Sequence, residues 1–315
     1  MRTIEEEAIR AAVGAPEALD AVESAFAALG RGAASLPAPM GLEIPEVEGE
    51  VHIKSAHIAG APVFAVKIAS GFYRNVDRDL PTGSGLMMVF AADTGFPVAL
   101  LLDNGYLTDL RTAAAGALAA RYLAHERLDT VAVLGSGVQA RYQACALQGV
   151  RSWRRTVAWS PTAANLRRYC TEMETELGIP FTAAAEPEDA VGAADLVITV
   201  TPSRRPLFDA AALRENATVI AVGSDGPDKR ELATSVLARA DKIVVDRLSQ
   251  CAALGELHHA VTEGKLSEGD VHAELGEIVI GQAKGRESDE LIICDLTGVG
   301  VQDAAVAEVA WRRAG

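Results

Sequence analysis

The 315-residue sequence predicts an α/β protein, a doubly wound parallel sheet combined with a discontinuous α+β domain. Two observations carry that prediction. Six short β-branched runs, TVAVLG, TVAWS, DLVITV, TVIAVG, KIVVD and LIICD, occupy the stretch from Thr130 to Asp295, with helix-like segments between most of them. Such alternation argues for parallel strands covered on both faces. The stretch before it carries a different pattern, and the chain is too long for one ordinary core, so two domains are expected.

Taken in order, Pro16 to Leu29 spaces Leu19, Val22, Phe26 and Leu29 at helical intervals, with Pro16 suited to a first turn, so an amphipathic helix opens the chain. From Leu36 to Leu102 the runs EVHIKSAHI, VFAVKIA, GLMMVFAA and FPVALLL, bounded by Gly, Pro and Asn, read as antiparallel strands. LTDLRTAAAGALAARYLA, residues 107 to 124, is rich enough in Ala and Leu to be a long helix. The six parallel strands follow. The closing VQDAAVAEVAWRRAG is a second amphipathic helix that returns to the first domain. The expected boundaries are residues 1–118 with 300–315 for the first domain and 119–299 for the second.

Composition narrows the function classes. With 49% apolar residues the chain is globular, and no apolar run approaches the roughly 20 residues that span a bilayer. MRTIEEEAIRAAV lacks the basic start and apolar block of a secretion signal, so a cytoplasmic location is expected. Cys145, Cys170, Cys251 and Cys294 show no metal-ligand or disulfide spacing, and no metal is expected. A formal charge of −14 opposes binding to a polyanion, which excludes nucleic acid as a main partner.

The first parallel strand runs into Gly135, Gly137 and Ala140 in a G-x-G-x-x-A arrangement ahead of a helix. Gly135 permits the tight turn, Gly137 lets a pyrophosphate approach the backbone, and the helix aims its first N–H groups at that charge. The strand before and the helix after it supply the context that makes this a dinucleotide site of the Rossmann type. The next strand ends in Ser160, followed by Pro161 and Thr162, where an NAD enzyme usually carries an acid for the ribose. Ser160 and Thr162 could donate to a 2′-phosphate, so NAD(P) is expected with a lean to NADP.

Ligands of an open parallel sheet lie outside the carboxyl ends of its strands. There the sequence places Thr201 after the third strand, Ser224 and Asp225 after the fourth, and DLTGVG after the last. Asp225 reads equally as a proton-handling group beside a nicotinamide or as a turn cap.

LLDNGYLTDLRTAAAGALAARYLA, GSGVQA, GSDGPDKREL and DLTGVGVQDAAVA together resemble the ornithine cyclodeaminase/mu-crystallin family across essentially the whole chain. The resemblance implies a homodimer joined through the N-terminal sheets and an active site between the two domains. It also implies that Lys67 and Arg111 bind a substrate carboxylate and that Asp225 is catalytic. Thr82, Val138, Gln139, Thr201 and Thr297 would contact the cofactor.

The match breaks at two places. Family members acting on diamino acids carry Glu where this chain has Lys54, and a cation there repels a distal ammonium and attracts a carboxylate or acyl oxygen. Lys54 could face solvent or the site. Relatives often carry an arginine near Met40, and Lys54 could stand in for it. The expected activity is hydride transfer from NAD(P)H to the Cα of a small imino acid bearing a second anionic group, iminosuccinate being the simplest. Two alternatives stand beside it, a redox-neutral cyclodeaminase and a non-enzymatic NADPH- and ligand-binding protein.

Overall fold

The computed structural model describes residues 1–314. The chain divides into two compact units, Met1–Arg111 with Val299–Gly315, and Thr112–Gly298.

In the first unit the chain opens on a short strand, β1 (Arg2–Glu5), and a helix, α1 (Glu6–Ala12), ahead of the amphipathic helix α2 (Ala15–Gly30) that the sequence places first. Helix α2 starts where its residue types dictate. Pro16 occupies the first turn and the Gly14 N–H donates to the Glu17 carboxylate at 3.0 Å. Then come β2 (Ala34–Ser35), β3 (Met40–Ile44), β4 (Gly49–Ile58), β5 (Val63–Phe72), β6 (Gly83–Ala91) and β7 (Pro97–Leu102). They form one sheet in the order β1-β7-β6-β5-β4-β2, with β3 also on β4. The pairs from β2 to β7 are antiparallel, as expected, whereas β1 adds a parallel edge to β7. Strand alternation sends Val63, Ala65 and Lys67 to one face and Phe64, Val66 and Ile68 to the other. The first face packs under the C-terminal helix (Gly300–Arg313), against which α2 packs in turn, and Val22, Phe26, Val301 and Val306 are fully buried. Gly315, the last residue of the expected helix, lies outside the described residues.

The long Ala-rich helix α3 (Tyr106–Leu123) leads from the first unit into the second. There the order is β8 (Arg127–Leu134), α4 (Val138–Gln148), β9 (Ser152–Trp159), α5 (Ala163–Leu177), β10 (Phe181–Ala183), α6 (Pro187–Val191), β11 (Leu196–Thr199), β12 (Arg204–Phe208), β13 (Thr218–Ala221), β14 (Arg230–Leu232), α7 (Thr234–Arg239), β15 (Lys242–Val245), α8 (Leu248–Cys251), α9 (Glu256–Thr262), β16 (Ala273–Glu274), α10 (Leu275–Val279) and β17 (Ile292–Asp295). Eight of these strands form an all-parallel sheet in the order β10-β9-β8-β11-β13-β17-β15-β16. The six expected runs are its six longest strands. Two short edge strands join them, β10 and β16, too brief to leave a pattern. Leu134, Val197, Val219, Ile293 and Val245 are buried at 1% exposure or less, the continuous apolar signature of a sheet covered on both faces. The winding reverses between β8 and β11, which opens the crevice where such sheets bind ligands.

Candidate active site

In the first unit β4 and β5 run antiparallel with Lys54 and Lys67 as direct partners, so the two side chains leave the same face about 5 Å apart. Both are buried, Lys67 to 2% exposure, as are Arg111 in the second turn of α3 and Asp303 in the first turn of the C-terminal helix. Lys67 Nζ lies 3.2 Å from Asp303 Oδ2 and Arg111 Nε lies 3.0 Å from Asp303 Oδ1. Arg111 Nη1 also donates to Gln302 Oε1 at 2.9 Å. Distance is met but angle is not. Arg111 Nε and both Asp303 oxygens complete no hydrogen bond among the described residues.

Charge crowding in this cluster has opposite effects on its members. Burial drives the Lys67 ammonium down to about 7, with Arg111 and Lys54 pushing the same way and Asp303 opposing. Burial alone would raise the Asp303 carboxyl, yet Arg111, Lys67 and Lys54 together hold it below its ordinary value. Gly300 lets the C-terminal helix come this close, because a Cβ there would lie 2.7 Å from the Ser55 carbonyl oxygen. Lys54 therefore belongs to the cluster and does not face solvent. Met40 is 59% exposed on β3, opposite Ile53. Thr82, just before β6, accepts the Phe72 N–H through its carbonyl at 2.7 Å.

In the second unit Gly135 ends β8 at φ +129°, and a Cβ on it would lie 2.9 Å from the Val200 carbonyl oxygen beyond β11. No other residue fits that turn without strain. A Cβ on Gly137 would meet nothing within 4 Å, and no side chain caps α4 at this residue. The helix thus begins beside open space at Gly137, and Val138 is 56% exposed. These features fit a pyrophosphate. Ser136 Oγ donates to Ser160 Oγ at 2.8 Å, joining the ends of β8 and β9, while Thr162 stands exposed ahead of α5.

Two loops at the same carboxyl edge are fastened by Glu231 of β14, a residue that the sequence analysis does not single out. Its fully buried carboxylate accepts from Thr199 Oγ1 at 2.7 Å, from the Thr201 N–H and Oγ1 at 2.6 and 2.7 Å, and from the Gly223 N–H at 2.8 Å. Burial raises it to about 6 against those four hydrogen bonds. Gly223 must be glycine, since a Cβ would lie 2.2 Å from the Thr201 carbonyl oxygen. Thr201, Ser224 and Asp225 are thereby set on one rim. Ser224 Oγ donates to the Lys229 carbonyl at 2.6 Å, and Asp225 accepts from Lys229 Nζ at 2.7 Å. Thr297 is buried beyond β17, its hydroxyl donating to Asp246 at 3.0 Å and accepting from Gln250 at 2.8 Å.

The structure brings together Lys54, Lys67 and Arg111 in one unit and the glycine turn, Ser160, Thr201, Ser224 and Asp225 along one sheet edge of the other. Sequence reasoning missed Asp303, Glu231, and Arg141, which donates to the Ser136 and Gly137 carbonyls at 2.7 and 3.0 Å and so braces the glycine turn. The motifs containing Asp303 and Glu231 were the available signal.

A sequence model of the ornithine cyclodeaminase/mu-crystallin family matches residues 2–314. Iminosuccinate reductase of Paracoccus denitrificans is 32% identical over 98% of this chain and 95% of its own length. A structure of Thermococcus litoralis Δ1-pyrroline-2-carboxylate reductase with NADH and L-proline covers all of this chain and 97% of its own, at a TM-score of 0.94 and 29% identity. An archaeal alanine dehydrogenase dimer with bound NAD covers all of this chain and 96% of its own, at a TM-score of 0.92 and 34% identity.

Proposed function

Because this chain belongs to the ornithine cyclodeaminase/mu-crystallin family, we propose that it is a nicotinamide-dependent reductase of small imino acids. The observation that carries this reading is the Lys54, Lys67 and Arg111 cluster. Three buried cations surround the Asp303 carboxylate, and Arg111 Nε has no hydrogen-bond acceptor among the described residues. A substrate α-carboxylate supplies that acceptor.

The cofactor, when bound, supplies the hydride that reduces the C=N carbon. Lys67 and Arg111 fix the acid end of the substrate, which restricts the imine carbon to one orientation. Asp225 sets a carboxylate against the nitrogen that carries positive charge before reduction. Gly137 and the first N–H groups of α4 hold the pyrophosphate, Thr201, Ser224 and Thr297 edge the nicotinamide, and Thr82 is a further cofactor-contacting threonine. Ser160 and Thr162 receive the adenosine ribose, and their lack of a carboxylate favours NADP over NAD.

Lys54 argues against a diamino acid and for an imine with a second anionic group, such as iminosuccinate, because a distal ammonium would meet a third buried cation. A dimer joined through the first unit's outer sheet face completes the reading. Val66, Ile68, Leu86 and Met88 line that face by strand alternation and stay half-buried, and Leu42 at the edge is 58% exposed.

A panel of 2-keto acids with ammonia or methylamine, run in parallel with NADH and NADPH, tests the proposal. Cofactor oxidation that requires the amine, strongest with oxaloacetate, is expected. Equal turnover of iminosuccinate and an uncharged imino acid would remove the basis for the second anionic group.

A further inference from the structure

Asp225 does not stand alone on its rim. Lys229 Nζ donates to Asp225 Oδ1 at 2.7 Å, from a side chain only 10% exposed, whereas the Asp225 side chain keeps 37% of its surface. The lysine is pinned at its backbone. Its N–H donates to the Gly226 carbonyl at 3.1 Å, and its own carbonyl accepts from Ser224 Oγ at 2.6 Å and lies 2.7 Å from His259 Nε2 on α9. Three other charged groups of this loop are engaged elsewhere or exposed. Asp228 is exposed, Arg230 pairs with Glu263 at 2.6 Å, and Glu231 is spent on Thr199, Thr201 and Gly223. Burial lowers the His259 imidazole below its ordinary value, so the ring adds no lasting positive charge near neutrality. Lys229 thus sets a cation against the Asp225 carboxylate from a closed turn.

We propose that Lys229 is a positioning residue that fixes Asp225 as an aimed carboxylate, so that Asp225 acts on the imine as a negative charge and never as the acid that protonates it. This rests on the reductase reading above and decides how that reaction is balanced. The substrate must then arrive as the iminium, R2C=NH2+. Hydride adds to carbon, a C–H bond forms, the C=N π electrons move onto nitrogen, and the neutral amine R2CH–NH2 results with no proton taken from the protein. In the oxidative direction the ammonium first loses a proton to solvent, the neutral amine gives up its hydride, and the Asp225 carboxylate faces the iminium that forms.

Two measurements test this, the first without cofactor or turnover. In apoprotein carrying 13C-carboxyl aspartate, the Asp225 resonance is assigned by its loss in Asp225→Asn and followed with pH in wild type, Lys229→Gln and Lys229→Arg. The expected result is that Lys229→Gln moves its titration upward by about 1–3 pH units, and that Lys229→Arg restores it. Identical titration in wild type and Lys229→Gln, or no restoration by arginine in a folded variant, would overturn the proposal. The second is the pH profile of kcat/KM, whose acid limb should move upward in Lys229→Gln by a similar amount while the KM for the cofactor changes less than threefold. An unmoved limb would overturn it too. If no imine of the panel is reduced, the reductase reading fails, and the resonance still decides the role of Lys229.

Discussion

Lys67 Nζ stands 3.2 Å from one oxygen of Asp303 while Arg111 Nε stands 3.0 Å from the other, so β5 and α3 meet the C-terminal helix at a single buried carboxylate. Removing one partner of a buried ion pair leaves the other charge uncompensated, which costs more than the pair contributes. Asp303→Asn should therefore lower the unfolding free energy by about 3 kcal/mol, and added succinate should recover part of the loss by supplying the missing charge. Urea unfolding with and without succinate measures both. A variant as stable as wild type, indifferent to the anion, would contradict this account of the cluster.

Lys67 makes anion binding proton-coupled. Its ammonium titrates near 7 in the folded protein against 10.5 ordinarily. A carboxylate bound beside it favours the charged form, so succinate binding at a pH somewhat above 7 should draw up to one proton. Calorimetry in buffers of different ionisation enthalpy reads that uptake directly, and Lys67→Met should abolish it. The sign for stability follows from the same shift. Between about 7 and 10.5 the unfolded chain binds the extra proton, so the contribution of Lys67 to stability rises with pH over that window.

Substrate choice should invert at Lys54. Lys54→Glu places an anion opposite Lys67, and the ratio of KM for iminosuccinate to KM for 2-iminopropanoate should rise at least about tenfold, roughly 1.4 kcal/mol of discrimination. An unchanged ratio would assign Lys54 to the α-carboxylate alone.

Glu231 ties the loop after β11 to the loop carrying Asp225, and burial raises its carboxyl from 4.5 to about 6. A raised folded value means that the native state holds the proton longer. The contribution is fully present below about 4.5 and is lost as pH rises through 6, a total of about 2 kcal/mol. Glu231→Gln should flatten that slope and weaken cofactor affinity, since its amide would face the Gly223 N–H with another donor. Denaturation curves across this pH range and cofactor titration check the two effects.

The outer sheet face of the first unit should be where two copies join. Light scattering after size exclusion is expected to give a dimer for wild type and a monomer for Met88→Asp. A wild-type monomer would remove this part of the reading.

Much of this was legible in the sequence because it is local. The glycine turn needs only Gly135, Gly137 and the strand and helix beside them, and the six parallel strands announce themselves by unbroken apolar runs. Asp303 was not legible. It sits in DLTGVGVQDAAVA as an ordinary first-turn acid, and only the fold brings it under Lys67 and Arg111, far away in the chain. Glu231 was hidden for the same reason, since a carboxylate between Arg230 and Leu232 looks solvated until β14 buries it. Lys54 lay between the two. Alternation gave its face relative to its neighbours, but the register with Lys67 was needed to say which face was buried. The parallel edge made by β1 is four residues long, and strands so short carry no periodicity to read.

The central claim is that hydride passes to the Cα of an imino acid, and its most direct test is isotopic. The protein is incubated with oxaloacetate, ammonia and 4-deuterated NADH or NADPH, with deuterium on each face of the ring in turn, and the product is analysed by mass spectrometry. The account predicts aspartate carrying one deuterium at Cα from one of the two faces, in step with cofactor oxidation. Ammonia released from an amino acid with no net cofactor oxidation, or aspartate without the label from either face, would contradict it.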